Sequence, residues 1–276
     1  MKINQVKKAL VTALIAAGSL AFYAQSDGEW SRLSDSRRKD ASPVLIKTQA
    51  KTSALRLPRA ASGHRATADY SDIEVYGALI YSYDWGYGDE QYGIYRFTAE
   101  TIEPVALDNR FYAEGGAVCI NGVYELMQRQ DGVNTYYTYD TATKQFSEGI
   151  VQDDDSSMAL DVTYDTTTGK VFGFFYNADQ TGYMFGTRNR LTGRTDKIAD
   201  ISSRYFCIAA DSDGTLFAID NEGRLGTVDK SSGSFSEIGA TGITPKYVQT
   251  ATFDNKGRLI WLAGLSYGAT GLYVVD

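Results

Sequence analysis

The stretch Ile208–Gly239, IAADSDGTLFAIDNEGRLGTVDKSSGSFSEIG, decides the fold. An apolar run leads into an Asp-Gly turn, a second run into Asn-Glu-Gly, a third into Ser-Gly, and a short fourth run follows. Runs this short, each closed by residues that favour turns, predict a four-stranded antiparallel meander.

The same grammar extends outward in both directions. The polar residue that closes the third strand falls at Thr98, Asp140, Asn189, Asp229 and Asp276, at intervals of 42, 49, 40 and 47 residues. A second marker, at the first turn of each unit, falls at Asn121, Asp165, Asp211 and Asp254, at intervals of 44, 46 and 43. Two independent registers with one period in the mid-forties define a repeat of about five units. Each unit is too small to bury its own faces, so units must stack, and radial stacking gives a β-propeller of four-stranded blades. Nearly continuous apolar runs such as Val171–Tyr176 suit strands covered on both faces. A sandwich or a solenoid is the other all-β arrangement such strands allow.

The unit can be written apolar–Asp–x–x–Gly–x–Leu–aromatic, then Gly–x–Leu–apolar–x–Asp–x–x–Thr/Ser–Gly, then Ile. In that form it resembles the blades of secreted bacterial β-propellers of the broad YVTN/quinoprotein-like group. The resemblance covers residues 73–276. Gly115-Gly116 adds one Kelch-like doublet that the other units lack. The resemblance implies the fold and leaves the activity open, because propellers of this kind include lectins, adhesion scaffolds and enzymes.

The ends of the repeat are ragged. Unit one begins at its second strand, near Ala78–Tyr81, and unit five stops after its third. The missing strand must come from the preceding leader or from residues 69–75, or else the chain is a piece of a longer one; the ending on Asp276 favours the last expectation.

Upstream of the repeat, Met1–Ala24 reads as a signal peptide. Lys2, Lys7 and Lys8 precede an apolar core at Ala9–Ala21, with cleavage expected after Ala21 or Ala24. Residues 25–68 carry nine Lys/Arg against four Asp/Glu and lack apolar periodicity, which predicts a disordered basic leader. The whole chain has a net charge of −7, so residues 69–276, the propeller-like domain, carry −15 once the signal (+3) and leader (+5) are set apart. A domain this acidic is a poor partner for nucleic acid. The expected location is the periplasm, the cell surface or the medium, with no membrane insertion after processing.

Cys119 and Cys207 each sit in an apolar run and read as buried free thiols. His64, the only histidine, lies in the leader, which excludes Ser-His-Asp or Cys-His catalysis and His-ligated metal from the repeat domain. Carboxylate chemistry needs only a pair of acids, but the marker acids Asp165, Asp211, Asp213 and Asp254 occupy turns, where Asp accepts backbone N–H bonds.

Two loops stand apart. Ser82–Tyr92 gathers Tyr83, Trp85, Tyr87 and Tyr92 beside Asp84, Asp89 and Glu90. Aromatic faces that stack on sugar rings, next to carboxylates that accept hydroxyl protons, suit a glycan or peptide ligand. The other reading is a hairpin whose rings pack on their own blade. Val151–Met158 contains Asp153, Asp154 and Asp155 in succession, the weak candidates for a hard cation such as calcium. Consecutive side chains diverge, so a solvated loop is the simpler reading, and no cofactor is expected. The sequence therefore predicts an exported, non-catalytic binding or adhesion module for glycan or protein, acting through propeller loops. The alternatives are a carboxylate-dependent glycan hydrolase or lyase, and a structural scaffold within a longer surface protein.

Overall fold

A computed structural model describes residues 3–5, 43–44, 47–48, 70–79, 93–98, 101–111, 116–130, 133–152, 157–177, 181–202, 205–245, 249–266 and 269–275. Three short strands come first: β1 (Ile3–Gln5), β2 (Pro43–Val44) and β3 (Lys47–Thr48). Blade 1 follows with β4 (Glu74–Leu79), β5 (Gly93–Thr98) and β6 (Ile102–Leu107). Blade 2 holds β7 (Ala117–Ile120), β8 (Val123–Gln130) and β9 (Val133–Asp140), with β10 (Gln145–Phe146) and β11 (Ile150–Gln152) both paired to β9.

Blade 3 is β12 (Met158–Asp165), β13 (Lys170–Tyr176), β14 (Tyr183–Arg188) and β15 (Thr195–Ile201). Blade 4 is β16 (Tyr205–Ala210), β17 (Leu216–Asp220), β18 (Arg224–Val228) and β19 (Phe235–Ala240). Blade 5 is β20 (Gln249–Phe253), β21 (Leu259–Ser266) and β22 (Ala269–Val275). The chain is an all-β, five-bladed propeller, and the stretch Ile208–Gly239 is its fourth blade. Among the described residues, no helix is long and apolar enough to cross a membrane.

Both sequence markers fall where the repeat predicts. Asp165, Asp211 and Asp254 sit at the turn between first and second strands, and Asp140, Asn189 and Asp229 at the turn after the third. These acids hold their turns from inside. Asp211 Oδ1 accepts the N–H groups of Asp213 and Thr215, and Asp254 Oδ1 those of Lys256 and Arg258. After the third strand, Asn189 Oδ1 accepts from Leu191 and Thr192, and Asp229 Oδ1 from Ser231 and Ser232. Such side-chain turns leave the fourth residue with positive φ. Glycine fills that place in two blades, Gly193 at 78° and Gly233 at 70°, whereas blade 2 has Lys144 at 58°.

The missing strands come from the N-terminus. β2, in the leader, pairs antiparallel with β4, and β1 pairs antiparallel with β22 as the outer strand of blade 5. β1 lies within the stretch that reads as a signal peptide, so a chain cut after Ala21 or Ala24 would present β22 without that partner.

The core lies in the seams between blades. Phe111, Tyr139 and Leu126 pack with Ile94 between blades 1 and 2. Phe175 and Val171 pack with Val118 and Ile120 between blades 2 and 3, and Phe174 and Phe185 with Ile208 and Leu216 between blades 3 and 4. Trp261 and Tyr273 pack with Cys207 and Ile219 between blades 4 and 5. Blades 2, 3 and 4 thus bury both faces, which is why a strand such as β13 is apolar almost throughout rather than alternating.

Candidate functional site

The innermost strands of blades 3, 4 and 5 converge on the axis, and one charged side chain sits among them. Asp161, in the apolar run MALDVTYD, is 1% exposed. A bulge between Ala159 and Asp161 shifts β12 against β13 at this point. Asp161 Oδ2 accepts the backbone N–H of Ile208 in blade 4 at 2.9 Å, and Oδ1 accepts the Thr250 hydroxyl of blade 5 at 3.1 Å. A Cβ on Gly116 of blade 2, where φ is 92°, would stand 3.3 Å from Asp161 Oδ1. One carboxylate from blade 3 therefore bonds to two other blades. Two residues on, the Thr163 hydroxyl accepts the Ala210 N–H at 2.9 Å, again across 47 residues. The constant offset shows that β12 and β16 run parallel and in register.

Polar side chains also tie the seams. Gln249 of blade 5 donates to the carbonyls of Ile219 and Asp220 in blade 4, and accepts from the Trp261 indole at 2.6 Å. Gln152 of blade 2 donates to the Thr192 carbonyl of blade 3 at 2.7 Å, and Asn134 to the Ser157 carbonyl at 3.0 Å.

Ion pairs repeat the theme. Arg190 Nε donates to Glu125 Oε1 at 2.7 Å, and Lys230 Nζ to Asp165 Oδ2 at 2.6 Å, each spanning 65 residues from one blade to the next. Both cations directly follow the third-strand marker. The Glu125 carboxylate also accepts from the buried Tyr136 hydroxyl at 3.0 Å, and burial pushes that phenol well above its ordinary range. Arg190 lies 5.2 Å over the Tyr164 ring. Burial pushes the Asp165 carboxyl up, but Lys230, the Thr168 and Thr167 hydroxyls and the Thr167 N–H together outweigh it and hold it at about 2. Asp72, preceding β4, pairs with Arg258 and Lys256 of blade 5, and these two cations hold it at about 2. Arg224 and Arg258 each close onto the Asp four residues earlier, Asp220 and Asp254, at 2.7 and 2.6 Å.

The residues singled out from the sequence fall elsewhere. Tyr83, Trp85, Tyr87, Asp89 and Tyr92 lie outside the described residues, as do Asp153, Asp154 and Asp155. Their flanks are described: Leu79 and Gly93 pair at the base of the first segment, and Gln152 and Ser157 bracket the second. Among the described residues, no three of His, Cys, Asp and Glu gather into a metal site. Cys119 and Cys207 are both free and buried. Sequence reading missed Asp161, Arg190 and Lys230. The available signals were a lone acid inside an apolar strand, and a basic residue recurring immediately after the marker.

No family model matches the chain, and no curated protein matches it. Solved structures do. The chain is similar to a protein of unknown function from Bacteroides thetaiotaomicron, with 10% identity over 74% of this chain and 56% of that one, TM-score 0.46. It is similar to TolB from Acinetobacter baumannii, with 13% identity over 74% and 51%, TM-score 0.42. It is also similar to an oligogalacturonate lyase from Vibrio parahaemolyticus, with 11% identity over 74% and 62%, TM-score 0.40. The chain thus spans between half and two thirds of the length of these three structures. At such identities the likeness concerns architecture alone. By its own blades and repeat, the chain is a five-bladed β-propeller.

Proposed function

We propose that the protein is an exported, non-catalytic binding or adhesion module that engages glycan or protein through loops on one face of the propeller. The observation that carries this reading is how the buried and half-buried carboxylates are used. Asp161, Glu125, Asp165, Asp220 and Asp254 each have both oxygens engaged by donors of the protein itself. Asp161, Glu125 and Asp165 serve as joints between blades, Asp220 and Asp254 hold turns within their own, and recognition is left to the loops.

Topology supports the choice of face. Second-to-third-strand loops and blade-to-blade connections emerge on the same side of a disc whose inner strands run parallel. In sequence, Ser82–Tyr92 lies between β4 and β5 of blade 1, and Asp153–Asp155 between β11 of blade 2 and β12 of blade 3. The axial bonds from β12 to β16 give the shared direction, and the Asp72–Arg258 pair joins the opposite ends of blades 1 and 5.

The test is thermal unfolding of the full chain against a panel of glycans, peptides and calcium. A binder raises the midpoint by mass action, and Trp85→Ala should abolish that rise while leaving the unliganded midpoint in place. Release of new reducing ends or unsaturated products from a glycan, lost in Asp89→Asn, would replace this reading with the carboxylate-dependent enzyme. A panel that moves nothing would favour the scaffold.

A further inference from the structure

The first turn of blade 2 is built unlike those of blades 3, 4 and 5. In those blades an aspartate opens a longer turn, Asp165–Gly169, Asp211–Thr215 and Asp254–Arg258. In blade 2, Ile120 pairs directly with Val123, so Asn121 and Gly122 make the whole connection between β7 and β8. Both have positive φ, 53° and 81°, the form of a two-residue hairpin turn. Asn121 is exposed and begins the only Asn-Gly dipeptide in the chain. One residue of the neighbouring turn fastens this connection. Thr141, just after β9, gives both its N–H, at 2.9 Å, and its hydroxyl, at 2.8 Å, to the Gly122 carbonyl.

We propose that Asn121 is a site of spontaneous deamidation, that the Thr141 clasp holds the reaction in check, and that the isoaspartate product loosens the seam between blades 1 and 2. The reaction needs only water. The Gly122 nitrogen attacks Asn121 Cγ and gives up its proton, the Cγ–Nδ2 bond breaks, and ammonia departs with that proton, leaving a five-membered imide. Water then opens the ring at either carbonyl, to aspartate or to isoaspartate. Glycine after the asparagine leaves the approach clear, because it carries no Cβ. With Asn121 in the left-handed region, however, the next nitrogen stands nearly opposite Cβ and cannot reach Cγ. The turn must open before the ring can close, and the two Thr141 bonds oppose that opening. The products differ in consequence. Aspartate, like asparagine, tolerates left-handed backbone, so it keeps the hairpin and adds a negative charge. Isoaspartate routes the chain through Cβ and Cγ, and the added backbone atom does not fit a turn in which Ile120 pairs with Val123. The next pair along, Cys119 with Tyr124, lies in the apolar seam with Ile94 and Phe111. The site is independent of what the propeller loops bind.

The test incubates the folded full-length chain in mildly alkaline buffer, beside the same chain unfolded in urea, and follows Asn121 by peptide mass spectrometry with the two products separated. Asn121 should react more slowly in the folded chain. Thr141→Val should raise the folded rate about two- to tenfold and leave the unfolded rate unchanged, while Thr141→Ser, which keeps a hydroxyl, should stay near the parent. Protein bearing isoaspartate should lose Cys119 to an alkylating reagent faster than the parent, with Cys207 unchanged, and Asn121→Asp should be alkylated like the parent. Equal rates in the folded and unfolded chain overturn the clasp. So does a Thr141→Val rate that matches the parent, or one that rises together with Cys207 alkylation, which marks global opening. An unreactive Asn121 in the unfolded chain overturns the site itself, and isoaspartate that leaves Cys119 as protected as before overturns its link to the seam.

Discussion

Blades 3 and 4 are each made from one uninterrupted run of chain, Met158–Ile201 and Tyr205–Ala240, whereas blade 1 takes β2 from about thirty residues upstream of its next strand. The continuous blades share every device: a capped marker turn, a glycine in the left-handed region, and a cation reaching back to the preceding blade. Blade 2 keeps the turn but places Lys144 where they have glycine. The difference separates two tasks. A meander forms from hairpins of neighbouring residues, whereas closing a ring needs contacts between distant segments and carries their chain-entropy cost. Local sequence specifies the first task well and the second poorly.

The axis gives the hardest way to break the continuous half. Asp161→Leu removes the acceptor for Ile208 N–H and the Thr250 hydroxyl inside a fully covered site. We expect a loss of about 3 kcal/mol or more in urea unfolding, and Thr163→Val, which strands only the Ala210 N–H, should cost about 1–2 kcal/mol. Equal losses would remove Asp161 from its special place.

Next in size is the glycine position. A Cβ on Gly193 would stand 2.5 Å from Tyr136 Cβ of the preceding blade, and one on Gly233 2.8 Å from Phe185 Cβ. Gly193→Ala and Gly233→Ala therefore combine left-handed strain with a clash and should cost roughly 2–3 kcal/mol. Gly257, at φ 74° with open space around its Cβ position, tests the strain alone. Gly257→Ala should cost about 1 kcal/mol in the same measurement.

The inter-blade ion pairs come third. The Asp165 carboxyl is held at about 2 in the folded protein against 3.8 ordinarily. A depressed carboxylate stabilises the fold above its unfolded value and loses that contribution as pH falls from about 4 towards 2. Lys230→Met should lower stability by on the order of 1–2 kcal/mol at pH 7. The gap from the parent protein should narrow through that acid window. A gap independent of pH would assign the loss to the contact of the Lys230 ammonium with the Phe172 ring rather than to its pair with Asp165.

The smallest effect sharpens the comparison from the other side. Lys144→Gly converts blade 2 to the glycine of blades 3 and 4, relieving positive φ at an exposed turn. A gain of about 0.5–1 kcal/mol is expected, and a loss would mean that Lys144 contributes more than its backbone.

These blades also show what a linear reading can reach. The markers Asp211 and Asp254 were legible because an Asx turn is satisfied within four residues. The cross-axis bonds of Asp161 span 47 and 89 residues, so no local pattern could announce them. A lone acid in an apolar strand was the only trace. β2 and β3 were equally hidden, since two-residue strands have no periodicity and their formation depends on blades folded elsewhere. The ragged first unit did announce that a strand was missing, and the leader was one of the sources the sequence left open. The aromatic segment Ser82–Tyr92 was legible as composition and lies outside the described residues, while the residues that flank it, Leu79 and Gly93, pair in blade 1.

The two thiols turn this unevenness into something that can be timed. Cys119 is buried in the seam of blades 1 and 2, where burial raises its thiol to about 11, and Cys207 is buried in the seam of blades 4 and 5. A thiol in that condition reacts with an alkylating reagent only when its seam opens, so each cysteine is a native clock for one seam. With no disulfide to mask them, both clocks run in the same tube, and the difference in their rates compares how firmly the seam of blades 1 and 2 and the seam of blades 4 and 5 are held.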